Sequence, residues 1–136
     1  MPRVLVVEDN TLVAKFYRLA LERAGGFEVT LSEDVAAILR QVGEHAFDAV
    51  VLDVSLRDCH HNGRPIDGLE LARLIRQTSA GQRLPILLAT AHAMEGDRER
   101  LLAASGADAY LEKPIYDPQV LIGKIQDLLA LKNDGT

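Results

Sequence analysis

The apolar run at residues 49–52, Ala-Val-Val-Leu, is the feature that most limits what this chain can fold into. Four consecutive apolar residues rich in β-branched side chains offer water no polar face, so they read as a strand buried on both sides within a parallel sheet. The run stops at a carboxylate, Asp53. Open α/β sheets bind their ligands beyond the carboxyl ends of the strands, so an acid there is displayed at the sheet's edge rather than sunk in the core. Taken alone, such an aspartate is only polar punctuation after a strand.

The rest of the chain repeats the pattern. Arg3 to Val7 is a short apolar run that ends in Glu8 and Asp9, and the cap-competent Asn10 and Thr11 follow. Leu12, Phe16, Leu19 and Ala20 recur at helical spacing before Gly25 and Gly26 close the segment. Residues 27–31 suit a strand, and Asp34 to about Glu44 a second helix. The stretch from Ser55 to Gly68 is polar, holds two glycines and a proline, and reads as a loop that is long for its place. A helix opening at Asp67 and Gly68 carries Leu69, Ala72, Leu74 and Ile75. Residues 85–90 form another apolar run, ending in Thr90, and a charged helix from Gly96 to Ser105 stops at Gly106. A short strand leads to Lys113 and Pro114, and a last helix begins with Asp117 as cap and Pro118 in the first turn, burying Leu121, Ile125 and Leu128.

Five strands alternating with five helices predict an α/β, flavodoxin-like, doubly wound parallel sheet of strand order 2-1-3-4-5. That order makes the first and third strands neighbours. Glu8, Asp9 and Asp53 then converge, with Thr90 and Lys113 arriving from the far side. With 136 residues the chain is expected to be one domain over 1–131, with a frayed tail at 132–136.

Composition narrows the function. A net charge of −5 without a basic stripe argues against direct nucleic-acid binding. No apolar stretch is long enough for a bilayer, the start turns acidic too soon for a signal peptide, and the single cysteine, Cys59, suits a reducing compartment. The expected location is the cytoplasm. Cys59, His60 and His61 are adjacent and lack further ligands, so they read as solvated loop rather than a zinc site.

Three crowded carboxylates must raise a pKa or recruit a cation. Hard oxygen donors without His or Cys favour Mg²⁺, with Mn²⁺ as a stand-in. A carboxylate can also act as nucleophile and carry a phosphoryl group, whose oxygens the metal, the Lys113 ammonium and the Thr90 hydroxyl would meet. Singly, Glu8 and Asp9 could be helix-capping acids, Thr90 a strand former and Lys113 a surface lysine. In register with Asp53, they form a phosphoryl-transfer pocket.

On the motifs VLVVEDN, VVLD, DGLEL, PILLATAHAM and GADAYLEKPI, in this order and spacing, the chain resembles the receiver domains of two-component response regulators over residues 3 to about 131. The resemblance implies that Asp53 is the phospho-acceptor, and that Asp9, Asp53 and the Ser55 carbonyl ligate Mg²⁺, with Glu8 acting through water. It implies that Thr90 and Lys113 contact the phosphoryl group, that Thr90 and Tyr110 form a switch, and that Ser55, Ala91 and His92 tune hydrolysis. The Lys113–Pro114 bond is expected to be cis. The implied donors are a histidine kinase or histidine phosphotransfer domain, and the implied readers a downstream protein or an attached output domain contacting helix 4, strand 5 and helix 5. Phosphorylation-dependent homodimers also occur among such domains. Such a protein phosphorylates and dephosphorylates itself without being a turnover enzyme.

The chain departs from the family in its Glu-Asp pair, where Asp-Asp is commonest, and in its extra residues after Asp53. Arg57, His60, His61 and Arg64 in that loop carry charge that could steer an anionic donor. Two other classes compete. A haloacid-dehalogenase-like phosphohydrolase would need a second Asp where Ser55 stands, and a flavodoxin-like electron carrier would set its flavin phosphate against the acidic pair.

Overall fold

The structure, a computed structural model, describes residues 1–91 and 96–134. A five-stranded parallel sheet is built from β1 (Arg3–Val7), β2 (Glu28–Leu31), β3 (Ala49–Asp53), β6 (Ile86–Thr90) and β7 (Ala109–Glu112). These strands lie in the order β2-β1-β3-β6-β7, which is the predicted 2-1-3-4-5 arrangement of the flavodoxin-like fold. The helices are α1 (Thr11–Leu19), α2 (Val35–Gly43), α3 (Gly68–Gln77), α4 (Asp97–Ser105) and α5 (Pro118–Asp134).

Every residue of β3 and β6 is buried, and alternation along the strands explains why their runs are apolar throughout. Leu5, Val50, Leu52, Ile86 and Leu88 point into one core with Ile38, Leu71, Ile75 and Leu101 of α2, α3 and α4. Val4, Val51, Leu87 and Ala89 point into the other, with Tyr17 of α1 and Leu121 and Ile125 of α5.

Short polar side chains start the helices. Asn10 accepts from the N–H groups of Leu12 and Val13, Asp34 from Ala37, and Asp67 from Glu70, filling donors that a first turn leaves open. At the amino ends of β6 and β7, Arg76 of α3 donates to the carbonyls of Gly81, Leu84 and Gly106 and pairs with Asp108 at 2.8 Å. Asp108 in turn accepts from Ile86 N–H.

The structure departs from the simplest sequence pattern in two places. Of the residues that recur at helical spacing in α1, only Ala20 is buried: Leu12 is 78% and Leu19 50% exposed, and Phe16 is only partly buried. Ala14, Tyr17 and Leu21 face the core beside it. Beyond Leu19 the helix widens into a π-turn over Ala20–Ala24, with Gly25 N–H donating to Ala20 O, and this alters the phase of the stripe.

The segment after Asp53 is not all solvated loop. His60–His61 (β4) pairs antiparallel with Arg64–Pro65 (β5), and Asn62 and Gly63 both take positive φ in the tight turn between them. Cys59, expected in solvent, is fully buried in the core with Leu56 and Ile66. Burial pushes its thiol up to about 11, the charges of Glu33, Asp9 and Asp58 adding to the effect.

The burial pattern of α1 predicts a mutational contrast. Leu21→Ala and Ile125→Ala should each cost about 2–5 kcal/mol by urea unfolding, the usual cost of truncating a buried leucine or isoleucine. Leu12→Ala should stay within about 0.5 kcal/mol, as exposed substitutions do.

Candidate functional site

The sheet brings the predicted residues to one edge. β1 and β3 are neighbours in register, so Glu8 and Asp9 leave the sheet beside Asp53. Asp53 aligns with Ala89, one residue before Thr90, and Thr90 aligns with Glu112, one residue before Lys113. Glu8, Asp53 and Thr90 are buried, while Asp9 and Lys113 are half-buried.

Local packing fixes Asp53 from behind. Gly68 opens α3 directly against its backbone, where a Cβ would lie 2.1 Å from the Asp53 carbonyl oxygen, so no other residue fits. Gly68 N–H donates to Val54 O, and Ser55 N–H donates to Asp53 Oδ1 at 3.2 Å.

One carboxylate oxygen each from Glu8, Asp9 and Asp53 lies within 4.8 Å of the others. Lys113 Nζ contacts Glu8 Oε2 at 3.1 Å and Asp53 Oδ2 at 3.5 Å. The balance is incomplete: burial and the neighbouring Asp53 charge push the Glu8 carboxyl up to about 7, although Lys113 pulls the other way. A single ammonium does not satisfy three carboxylates, and an all-oxygen donor set with excess negative charge fits a hard divalent cation.

The remaining positions are less concentrated. Ser55 and Ala91 are exposed near the rim, and Tyr110 is half-buried on β7, with ionisation disfavoured first by burial and then by Glu112 and Asp97. His92 lies outside the described residues. The Lys113–Pro114 bond is cis.

Two features of the site were missed in the sequence. Arg57 N–H donates to Asp9 Oδ2 at 3.0 Å from 48 residues away, a contact that no local pattern signals. Among the described residues the buried Tyr17 hydroxyl has no hydrogen-bond partner, and its burial first, then the charges of Glu8 and Asp53, disfavour its ionisation. With Val13, Phe16, Lys113 and Ile115 it lines a cavity of about 490 Å³ beside the acidic cluster. The interleaving of Tyr17 with charged neighbours hid it from an apolar count.

The response regulator receiver domain family matches residues 4–126. The chain belongs to this family. Its members are not turnover enzymes beyond phosphorylating themselves, so the phosphohydrolase and electron-carrier readings fall away. The polar-differentiation response regulator DivK of Brucella anthropi is 32% identical over 122 residues, spanning 89% of this chain and 92% of that protein. Hybrid signal transduction histidine kinase I of Dictyostelium discoideum is 38% identical over 122 residues, which cover 88% of this chain and 7% of the kinase. The receiver domain of the sensor histidine kinase PA1611 from Pseudomonas aeruginosa superposes with a TM-score of 0.78 at 32% identity, covering 95% of this chain and 98% of that one. That receiver holds a magnesium ion coordinated in its active site cleft. Among the described residues of this chain, no helix is long and apolar enough to cross a membrane.

The raised Glu8 pKa makes stability depend on pH. Unfolded, Glu8 titrates near 4.5; folded, it titrates near 7, so between these values the native state holds more protons and stability falls as pH rises. In chelator, the wild type should lose melting temperature across that window relative to Glu8→Gln, and Mg²⁺ should restore the loss above pH 7. Parallel melting curves for the two proteins would remove Glu8 from this account.

Proposed function

We propose that Asp53 accepts a phosphoryl group from a phosphohistidine on a histidine kinase or phosphotransfer domain, in a step that requires Mg²⁺. The observation that carries this reading is the approach of Lys113 Nζ to Asp53 Oδ2 inside a cluster of three carboxylates. Glu8, Asp9, Asp53 and the backbone carbonyl of Ser55 would hold the ion, with Mn²⁺ able to replace it. When bound, the ion neutralises phosphoryl oxygens and lowers the repulsion between an anionic donor and an anionic acceptor.

In the transfer, an oxygen of the Asp53 carboxylate forms a bond to phosphorus as the phosphorus–nitrogen bond breaks, and the donor imidazole leaves with the electron pair. Lys113 shifts its ammonium from Glu8 and Asp53 toward the charge on the transferred group, and the Thr90 hydroxyl donates to a phosphoryl oxygen. Ser55 and Ala91 are exposed at the rim, and by resemblance to the family they and His92 would tune the later hydrolysis of the acyl phosphate. A donor protein has apolar ground to dock on beside the opening, since Leu12 is exposed and Phe16 and Ile115 are only partly buried.

Incubation with acetyl phosphate and Mg²⁺ should add one phosphoryl group to the wild type and none to Asp53→Asn, measured by intact mass. Equal mass gain in the two proteins would sink the assignment.

The signal would leave through α4, β7 and α5. Leu88 aligns with Tyr110 and Thr90 with Glu112, so Thr90 and Tyr110 project on the same face of the sheet, the one covered by α4. A Thr90 side chain drawn toward the phosphoryl group vacates space that Tyr110 can enter, which biases a packed two-state element. Amide chemical shifts on phosphorylation should therefore change most at Thr90, in β7 and along α4 and α5. Changes confined to α1 and α2 would contradict this route.

A further inference from the structure

Each of the three carboxylates has one oxygen held by a backbone N–H. Asn10 donates to Glu8 Oε1 at 3.3 Å and Ser55 to Asp53 Oδ1 at 3.2 Å, each from two residues further along the chain. Asp9 is held from a distance: its Oδ2 accepts from Arg57 N–H at 3.0 Å, across 48 residues. The donor sits in the segment leading into the β4–β5 ribbon. Leu56 and Cys59 on either side of it are buried, Cys59 Sγ donates to Glu33 O at 3.4 Å, and Ile66 N–H returns to Cys59 O at 2.9 Å. The amide of Arg57 is thus placed by the core, while the Arg57 side chain itself is exposed.

We propose that the β4–β5 ribbon is a positioning element of the cation site, acting through Arg57 N–H, which fixes the Asp9 carboxylate so that its other oxygen faces the ion. The proposal rests on the reading of Glu8, Asp9 and Asp53 as ligands of Mg²⁺. Glu8 and Asp53 are buried, so packing already limits their rotation, whereas Asp9 is only half-buried and the terminal torsion of an aspartate is soft. A hydrogen bond to an ionised acceptor is among the stronger ones, and it leaves the second oxygen free to ligate. Outer-shell donors of this kind set ligand orientation and are commonly worth 10- to 100-fold, as an order of magnitude, in metal affinity. The extra residues after Asp53 therefore contribute to the floor of the site as well as to its rim.

The test compares Mg²⁺ binding by calorimetry, with no phosphoryl donor present, in the wild type, Arg57→Pro, Arg57→Ala and Asp9→Asn. Proline removes the N–H and alanine keeps it. Arg57→Pro should bind about 10-fold or more weakly, and Arg57→Ala like the wild type. Unchanged affinity in Arg57→Pro overturns the proposal, and so does equal loss in Arg57→Ala, which would assign the effect to the side chain.

If circular dichroism shows that Arg57→Pro does not fold, the wild type decides the matter by nuclear magnetic resonance. Titration with Mg²⁺ should shift the Arg57 amide proton together with those of Asn10 and Ser55. A still Arg57 resonance beside moving Asn10 and Ser55 overturns the proposal. Wild-type affinity in Asp9→Asn, or no binding by the wild type, would instead sink the ligand assignment on which the proposal stands.

Discussion

Three carboxylates gathered at the end of a sheet, two of them buried, are the constraint on which the rest of this structure depends. Like charges repel more strongly as water is removed, so such a cluster persists only when other parts of the fold impose it. The imposition comes from β3, enclosed between two helical layers, and from its pairing with β1 on one side and β6 on the other. Moving the two buried carboxylates, Glu8 and Asp53, apart would require shifting a strand of the core. The stability of the core is thus spent on holding an electrostatically unfavourable edge, and Lys113 offsets only part of the cost.

Most of the fold was legible because its signals are local and repeated. Apolar runs mark the strands, Asn10, Asp34, Asp67 and Asp117 mark helix starts, and the polar residues at the ends of β1, β3, β6 and β7 mark the site edge. The site was legible for the same reason, since a parallel sheet converts strand ends that are far apart in sequence into neighbours. The buried face of α1 was not legible, because Leu12, Phe16 and Leu19 mimic a buried stripe at helical spacing. Exposure there follows from where the sheet lies relative to the helix, which periodicity alone does not fix, and the π-turn shifts the phase again.

The ribbon was partly legible. Asn62 followed by Gly63 is the strongest short signal for a tight hairpin, but the strands around it are only two residues each and carry His and Arg instead of alternating apolar residues. Cys59 was judged by the histidines that follow it, whereas it is buried in the core cluster that the sheet forms with α2, α3 and α4. The contact between Arg57 and Asp9 belongs to the same class of facts, produced by tertiary proximity and written in no short window of the chain.

Arg76 gives the molecule a division of labour. Its guanidinium ties together the turns that precede β6 and β7, through the carbonyls of Gly81, Leu84 and Gly106 and the carboxylate of Asp108. All of those turns lie at the amino edge of the sheet, the full length of a strand from the carboxylates. A clamp there can stiffen the scaffold without adding charge, bulk or rigidity at the acidic edge. Evolution, or a protein engineer, can therefore adjust the robustness of this domain from one end while the acidic pocket is altered from the other.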